Sequence, residues 1–177
     1  MKKLFFVLFT ITAMFAFTAC GSDDEKEAVT FTSDCKQTVE LKGFKDQVVT
    51  IPEVSASLED LLKVSATGYD GTRISTGELN LGKVTASVTG LRNGVVLKDF
   101  KVKINGVEQS FGDITVADID LYTNKHIDFF KNSFTRMVNQ HTLKINVTFT
   151  PSEDIPASDN LKLELNFNGK YTYWKKI

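Results

Sequence analysis

Cysteine and histidine are almost missing from this chain: Cys20, Cys35, His126 and His141 are its whole supply in 177 residues. Structural metal centres gather three or four such ligands at short spacings, and four scattered residues exclude that pattern. Neither charge sign dominates, with 21 Lys and Arg against 22 Asp and Glu and a net charge of −1. Without a basic surplus the chain lacks the electrostatic footprint of a nucleic-acid binder. Long apolar runs are absent too. The longest, from Leu4 to Phe17, covers 14 residues, and a membrane-spanning helix needs about 20.

The signatures of catalysis are likewise missing. There is no Gly-x-Ser-x-Gly elbow, no phosphate-cradling glycine loop and no His-Glu-x-x-His zinc helix, so no enzyme and no cofactor is expected. His126 and Asp128 flank Ile127 and cannot share a helix face. Asp118, Asp120, Asn124 and Asp128 bring oxygens close together, but Tyr122 stands at a ligand position of a calcium loop and no bending glycine follows. Solvated acids are expected there, and hydrogen-bonded histidines at element ends.

What is present starts at the N-terminus. Lys2 and Lys3 precede the apolar run, the layout of a secretory signal. The run ends in Phe17-Thr18-Ala19-Cys20, which resembles the bacterial lipobox; that resemblance implies cleavage before Cys20 and acylation of its thiol. Gly21-Ser22-Asp23-Asp24-Glu25 follows at once and resembles the export signal of Bacteroidota surface lipoproteins. It implies that Ser22, Asp23, Asp24 and Glu25 send the protein to the exterior face of the outer membrane, the periplasmic face being the alternative. Several acyl chains on one residue hold a protein stably to a bilayer, so Cys20 would be its membrane contact. The expected organisation is a signal peptide at 1–19, acylated Cys20 with a flexible acidic tether to residue 27, and one domain at 28–177. Cleavage removes two lysines and no acid, taking the net charge from −1 to −3. Only Cys35 then remains, too few for a disulfide, and a small buried residue near a strand is expected for it.

Period-two alternation dominates the domain. Leu143, Ile145, Val147 and Phe149 alternate with Lys144, Asn146 and Thr148; Leu163, Leu165 and Phe167 repeat the pattern, as do Val84, Ala86 and Val88. Such strands have one buried and one wet face. Asn93-Gly94, Asn105-Gly106 and Asn168-Gly169 each signal a type I′ hairpin, because both residues tolerate positive φ. They predict a meander over 83–91, 95–104 and 107–111, and a C-terminal hairpin folding 161–167 onto 170–175. Further strands are expected at 28–33, 37–42, 47–52 and from 114 towards 121. Ser57 ahead of Leu58, Leu61 and Leu62 predicts a short capped helix. Ile127, Phe130, Phe134 and Met137 predict an amphipathic helix from Asn124, its cap, to about Val138, with a kinked strand pair as the competitor. Residues 66–82, with four glycines and no apolar period, read as a long loop.

These elements predict an all-β fold: an antiparallel β-sandwich, immunoglobulin-like or related, with one or two short helices. The immunoglobulin hallmark of two cysteines around a core Trp is missing. The runs Leu97-Lys98-Asp99-Phe100 and Phe111-Gly112-Asp113-Ile114-Thr115-Val116 resemble Bacteroidota calycin-like lipoproteins, which makes a calycin-like barrel the alternative. On a C-terminal strand, Tyr171 and Tyr173 share one face and Trp174 takes the other, so these three are the candidate ligand-binding residues. Core packing of the aromatics is the competing expectation. The function that follows is a non-catalytic binding or adhesion module at the cell envelope, for a glycan or an outer-membrane protein partner. The alternatives are a lipocalin-like carrier of a small apolar ligand and a structural or inhibitory protein whose sheet edge pairs with a partner strand.

The export reading is tested by protease shaving of intact cells, with lysed cells as control. Wild type is expected to be cleaved on intact cells and an Asp23→Ala/Asp24→Ala variant to be protected. Protection of wild type until lysis would place the domain in the periplasm.

Overall fold

The computed structural model describes residues 26–177. The signal segment 1–19, Cys20, Ser22, Asp23, Asp24 and Glu25 lie outside the described residues. Ten strands form two sheets in which every pairing is antiparallel. The first sheet holds β1 (Lys26–Glu40), β4 (Ile74–Leu79), β5 (Thr85–Thr89), β8 (Ile119–Asp120) and β10 (Lys162–Lys176). Its order is β1-β10-β5-β8, with β4 also on β10. The second runs β2-β9-β6-β7, from β2 (Val49–Thr50), β9 (Thr142–Pro151), β6 (Leu97–Ile104) and β7 (Val107–Ile114), with β3 (Val54–Ser57) also on β9. Neither sheet closes on itself, so the fold is a β-sandwich and the barrel alternative is corrected.

The alternations place the core as expected. Leu143, Ile145, Val147 and Phe149 on β9 are buried, as are Leu163, Leu165 and Phe167 on β10, and Val84, Ala86 and Val88. Cys35 is fully buried, and burial pushes its thiol up to about 12, so it is inert at neutral pH.

Of the three Asn-Gly pairs only one makes the expected hairpin. Asn105 and Gly106, at φ 48° and 79°, turn β6 into β7. At Asn93-Gly94 only the glycine takes positive φ, and the turn, closed by Val95 N–H to Arg92 O at 3.2 Å, carries the chain from the first sheet to the second. At Asn168-Gly169 there is no turn at all. Strand β10 runs straight through, because β1 pairs with it residue for residue from Lys26↔Lys176 to Glu40↔Lys162. The two expected strands 28–33 and 37–42 are this one strand, which already includes Lys26 and Glu27 of the segment expected to be tether.

Helix α1 (Leu58–Ser65) is capped as expected, Asp60 N–H donating to Ser57 Oγ at 3.3 Å. Helix α2 (Ile127–Gln140) is real, but Asn124 does not cap it; Asn124–His126 form a single 3-10 turn ahead of it. Its buried stripe is Phe129, Phe130, Phe134, Met137 and Val138, and Ile127 is only half-buried. Phe134 packs on Phe167 and Tyr171 of the first sheet, and Phe129 on Phe111 of the second, so α2 sits between the sheets.

The 66–82 loop shortens to 66–73, because β4 occupies Ile74–Leu79. Its sequence ISTGEL hides the strand: the period is interrupted by Gly77, and α2 requires that glycine. A Cβ at Gly77 would lie 2.8 Å from Val138 Cγ2 and 3.2 Å from Phe134 Cζ; at Gly169, two residues along β10 from Gly77's partner Tyr171, it would lie 3.0 Å from Phe134 Cζ and from Glu78 O. Gly77→Ala is therefore expected to destabilise by about 1–3 kcal/mol, the usual cost of overpacking. Gly82→Ala, whose Cβ meets only Asn80 Oδ1 at 3.6 Å, should be near neutral. Equal urea midpoints for the two variants would show that the helix–sheet contact is not tight.

Candidate functional site

The C-terminal strand divides its aromatics as period two requires. Tyr171 and Tyr173 point inward and Trp174 outward. Tyr171 is fully buried against Phe31 and Phe134, and its hydroxyl donates to Phe167 O at 3.2 Å, so as a ligand-binding residue it is corrected to a core residue. Tyr173 is also buried but borders a small hollow. There Phe31 stacks on Tyr69 at 4.9 Å between ring centres, with Tyr173 edge-on to both. The Tyr69 hydroxyl donates to Thr72 O, and burial raises its pKa. The hollow measures about 250 Å³, below the usual range for a drug-sized ligand.

Trp174 is the only one of the three to reach solvent, with 54% of its surface exposed. Its direct neighbour on β1 is Ala28, too short to cover an indole. On the same face Thr30 and Thr172 hydrogen-bond at 3.0 Å, and Ser75 Oγ donates to Thr172 O at 2.9 Å. Six residues back along β10, about 20 Å at 3.4 Å per residue, stands Asn168.

Asn168 belongs to a polar node that no hydrophobic pattern marks. Asp34 Oδ1 accepts from Asn168 Nδ2 at 2.8 Å and Asn166 Nδ2 at 3.0 Å. Asn168 Oδ1 accepts from Asn80 Nδ2 at 3.1 Å, and Asn168 O from Asn80 N–H at 2.9 Å. The node lies where the β10 edge passes from β4 to β5, the strand ladders ending at Gly169 and Asn166. Asn168 fills the step between them. The amide donors, first Asn168 and then Asn166, with Lys36 nearby, hold the Asp34 carboxyl below its ordinary 3.8. Beside the node a cleft of about 450 Å³ opens between Thr32, Glu78, Asn80 and Lys170, within the size range of small-ligand sites. The outer face of the first sheet thus carries one exposed indole, a row of hydroxyls, and a carboxylate–amide cluster with a cleft.

The histidines take separate partners. His126 Nδ1 lies 3.1 Å from Leu121 O and its ring meets Phe111 edge-on. His141, the left-handed C-cap of α2 at φ 54°, donates from Nδ1 to Glu59 Oε1 at 2.9 Å and accepts from Arg73 Nε at 3.0 Å. Glu59 Oε1 also accepts the Ile74 N–H at 3.1 Å, so one carboxylate clasps α1, β4 and the end of α2. Arg73, His141, Glu59 and the Ile74 N–H thus form a clasp between elements. Among the described residues no three His, Cys, Asp or Glu side chains come together as a metal site. The acids at 118, 120 and 128 are exposed or half-buried at element ends.

No protein-family model, curated protein or solved structure matches the chain. The fold and the face define it as an all-β, two-sheet protein with an open polar sheet surface.

The clasp predicts a pH effect. Burial raises the Glu59 pKa, but the bonds from His141 and the Ile74 N–H outweigh it, and the carboxyl titrates below its ordinary 4.5. A depressed folded pKa contributes stability above the unfolded value and loses it as pH falls through the folded one. Glu59→Gln is therefore expected to lower the denaturant midpoint at about pH 6, with the deficit shrinking towards about pH 3. A deficit that is independent of pH would show that the charge contributes nothing.

Proposed function

We propose that the protein is a non-catalytic binding module of the cell envelope, anchored through acylated Cys20 and using the outer face of its first sheet to hold a glycan. Trp174 carries this reading. An indole half out of water on an otherwise polar face stabilises nothing in the core, and its flat apolar ring offers a stacking surface for a sugar. The exposed Thr30–Thr172 hydroxyls and the half-buried Asp34 carboxylate, which Asn166 and Asn168 hold in place, supply donors and acceptors suited to sugar hydroxyls along the same face. The distance of about 20 Å from Trp174 to the Asp34 end of that face fits an extended oligosaccharide better than a single ring. The anchor and the export signal, Ser22, Asp23, Asp24 and Glu25, support an outward-facing location. Strand β1 already includes Lys26, six residues after Cys20, so the face would stand close to the membrane surface. No helix among the described residues is long and apolar enough to cross a membrane.

Titration of the full chain against a panel of polysaccharides tests the reading. One or more is expected to bind, and Trp174→Ala to weaken binding by about tenfold or more, the scale of an interface hot spot. Because Trp174 is half exposed, that variant should keep its folded stability. A flat response across the panel, or binding that Trp174→Ala leaves unchanged, overturns the assignment.

A further inference from the structure

Strand β1 is the edge of the first sheet, and it is unlike the other edges. It runs 15 residues in one uninterrupted register with β10. By contrast β8 and β2 have two residues each, β3 has four, and β7 is broken by register shifts. Natural edges are shortened, bulged, interrupted by proline, charged or covered. Strand β1 is neither short nor bulged nor interrupted by proline, although Lys26, Asp34, Lys36 and Glu40 give it charges of both signs and helix α1 packs beside it.

Its free backbone groups can be identified. Leu41 N–H donates to Leu161 O at 2.9 Å, continuing the β10 ladder, so odd-numbered residues face β10 and even-numbered ones face away. On the away side Asp34 O and Thr38 O accept from Ser33 Oγ and Gln37 Nε2, neighbours in the same strand. Among the described residues no other element hydrogen-bonds to the backbone of that edge.

The sequence of this edge is complementary to itself. We propose that two copies of the chain pair β1 to β1, antiparallel about Ser33, into one continuous sheet. A two-fold axis there sets Lys26 against Glu40 of the second copy at both ends. Between them Ala28 meets Thr38, Thr30 meets Lys36, and Thr32 meets Asp34, with no like charges opposed. Sliding by two residues one way sets Asp34 against Asp34, and sliding the other way gives up both Lys26–Glu40 pairs. A slide of four, about Cys35, sets Lys36 against Asp34 twice but shortens the shared ladder from 15 residues to 11. A one-residue slip would put inner side chains on the outer face. The pairing also brings Cys35 of the second copy beside the half-buried Phe31. It holds the two Lys26 ends about 48 Å apart, 14 steps of 3.4 Å, and places both Trp174 rings on one continuous outer face.

Sedimentation of the full chain in mild detergent, over about 1–100 μM, tests the proposal. Wild type should be a dimer. Thr32→Pro removes an N–H that faces away from β10, so it should leave the monomer folded by circular dichroism and abolish the dimer. Lys26→Glu opposes like charges at both ends and should weaken association by about tenfold, and Lys26→Glu/Glu40→Lys should restore it. A monomeric wild type, a dimer that survives Thr32→Pro, or a charge reversal that rescues nothing overturns the proposal. The charge pair keeps the test decisive if the proline variant fails to fold.

Discussion

The ladder between β1 and β10 is the constraint to which the other elements adjust. Fifteen consecutive pairs in one register commit every odd residue of both strands to the inner face, from Cys35 and Val39 to Leu163 and Tyr171. A slip of one residue would expose that whole set, so burial itself holds the register. With β1 on one edge of β10, only the other edge remains for β4 and β5, and neither is long enough to fill it alone. They divide it, one behind the other, and Asn168 with Asp34 and Asn80 satisfies the polar groups at the division. Helix α2 then settles where two glycines leave room, with Phe134 over Gly77 and Gly169.

The two faces of the first sheet have different tasks as a result. Inward, β10 presents Phe167 and Tyr171 to α2, and Tyr173 to the aromatic group of Phe31 and Tyr69. Outward, the same strand presents Asn166, Asn168, Thr172 and Trp174. Helix and sheet occupy most of the inner face, so the proposed glycan contact would fall to the outer one. The β1–β1 pairing would extend that outer face across two copies without altering either core.

Much of this was legible in the residues. Alternation located the buried faces of β9 and of the first half of β10, and it separated Tyr171 and Tyr173 from Trp174. Ser57 marked the start of α1, and Asn105-Gly106 the one true hairpin turn. These readings succeeded because side-chain period and local φ preference are properties of a few neighbouring residues. The failures share a different cause. Asn168-Gly169 has the residues of a turn, but β1 pairs straight across it, and Asn168 is engaged by Asp34 from 134 residues away. Gly77 looked like a loop glycine because Phe134 and Val138, which require it, lie far along the chain. The Asp34–Asn166–Asn168 node has no apolar period to reveal it.

Local chemistry in the sequence therefore determined the fold class, the buried faces of most strands, the inertness expected of Cys35 and the separation of Trp174 from Tyr171 and Tyr173. It also carries the lipobox and acidic run on which the proposed address depends. Tertiary structure decided which strands are neighbours, that the sheets stay open, that Tyr171 is core, and that β1 is left with a bare edge. Pairing partners are chosen by burial and hydrogen bonding summed over the whole chain, and no short window of residues contains that sum.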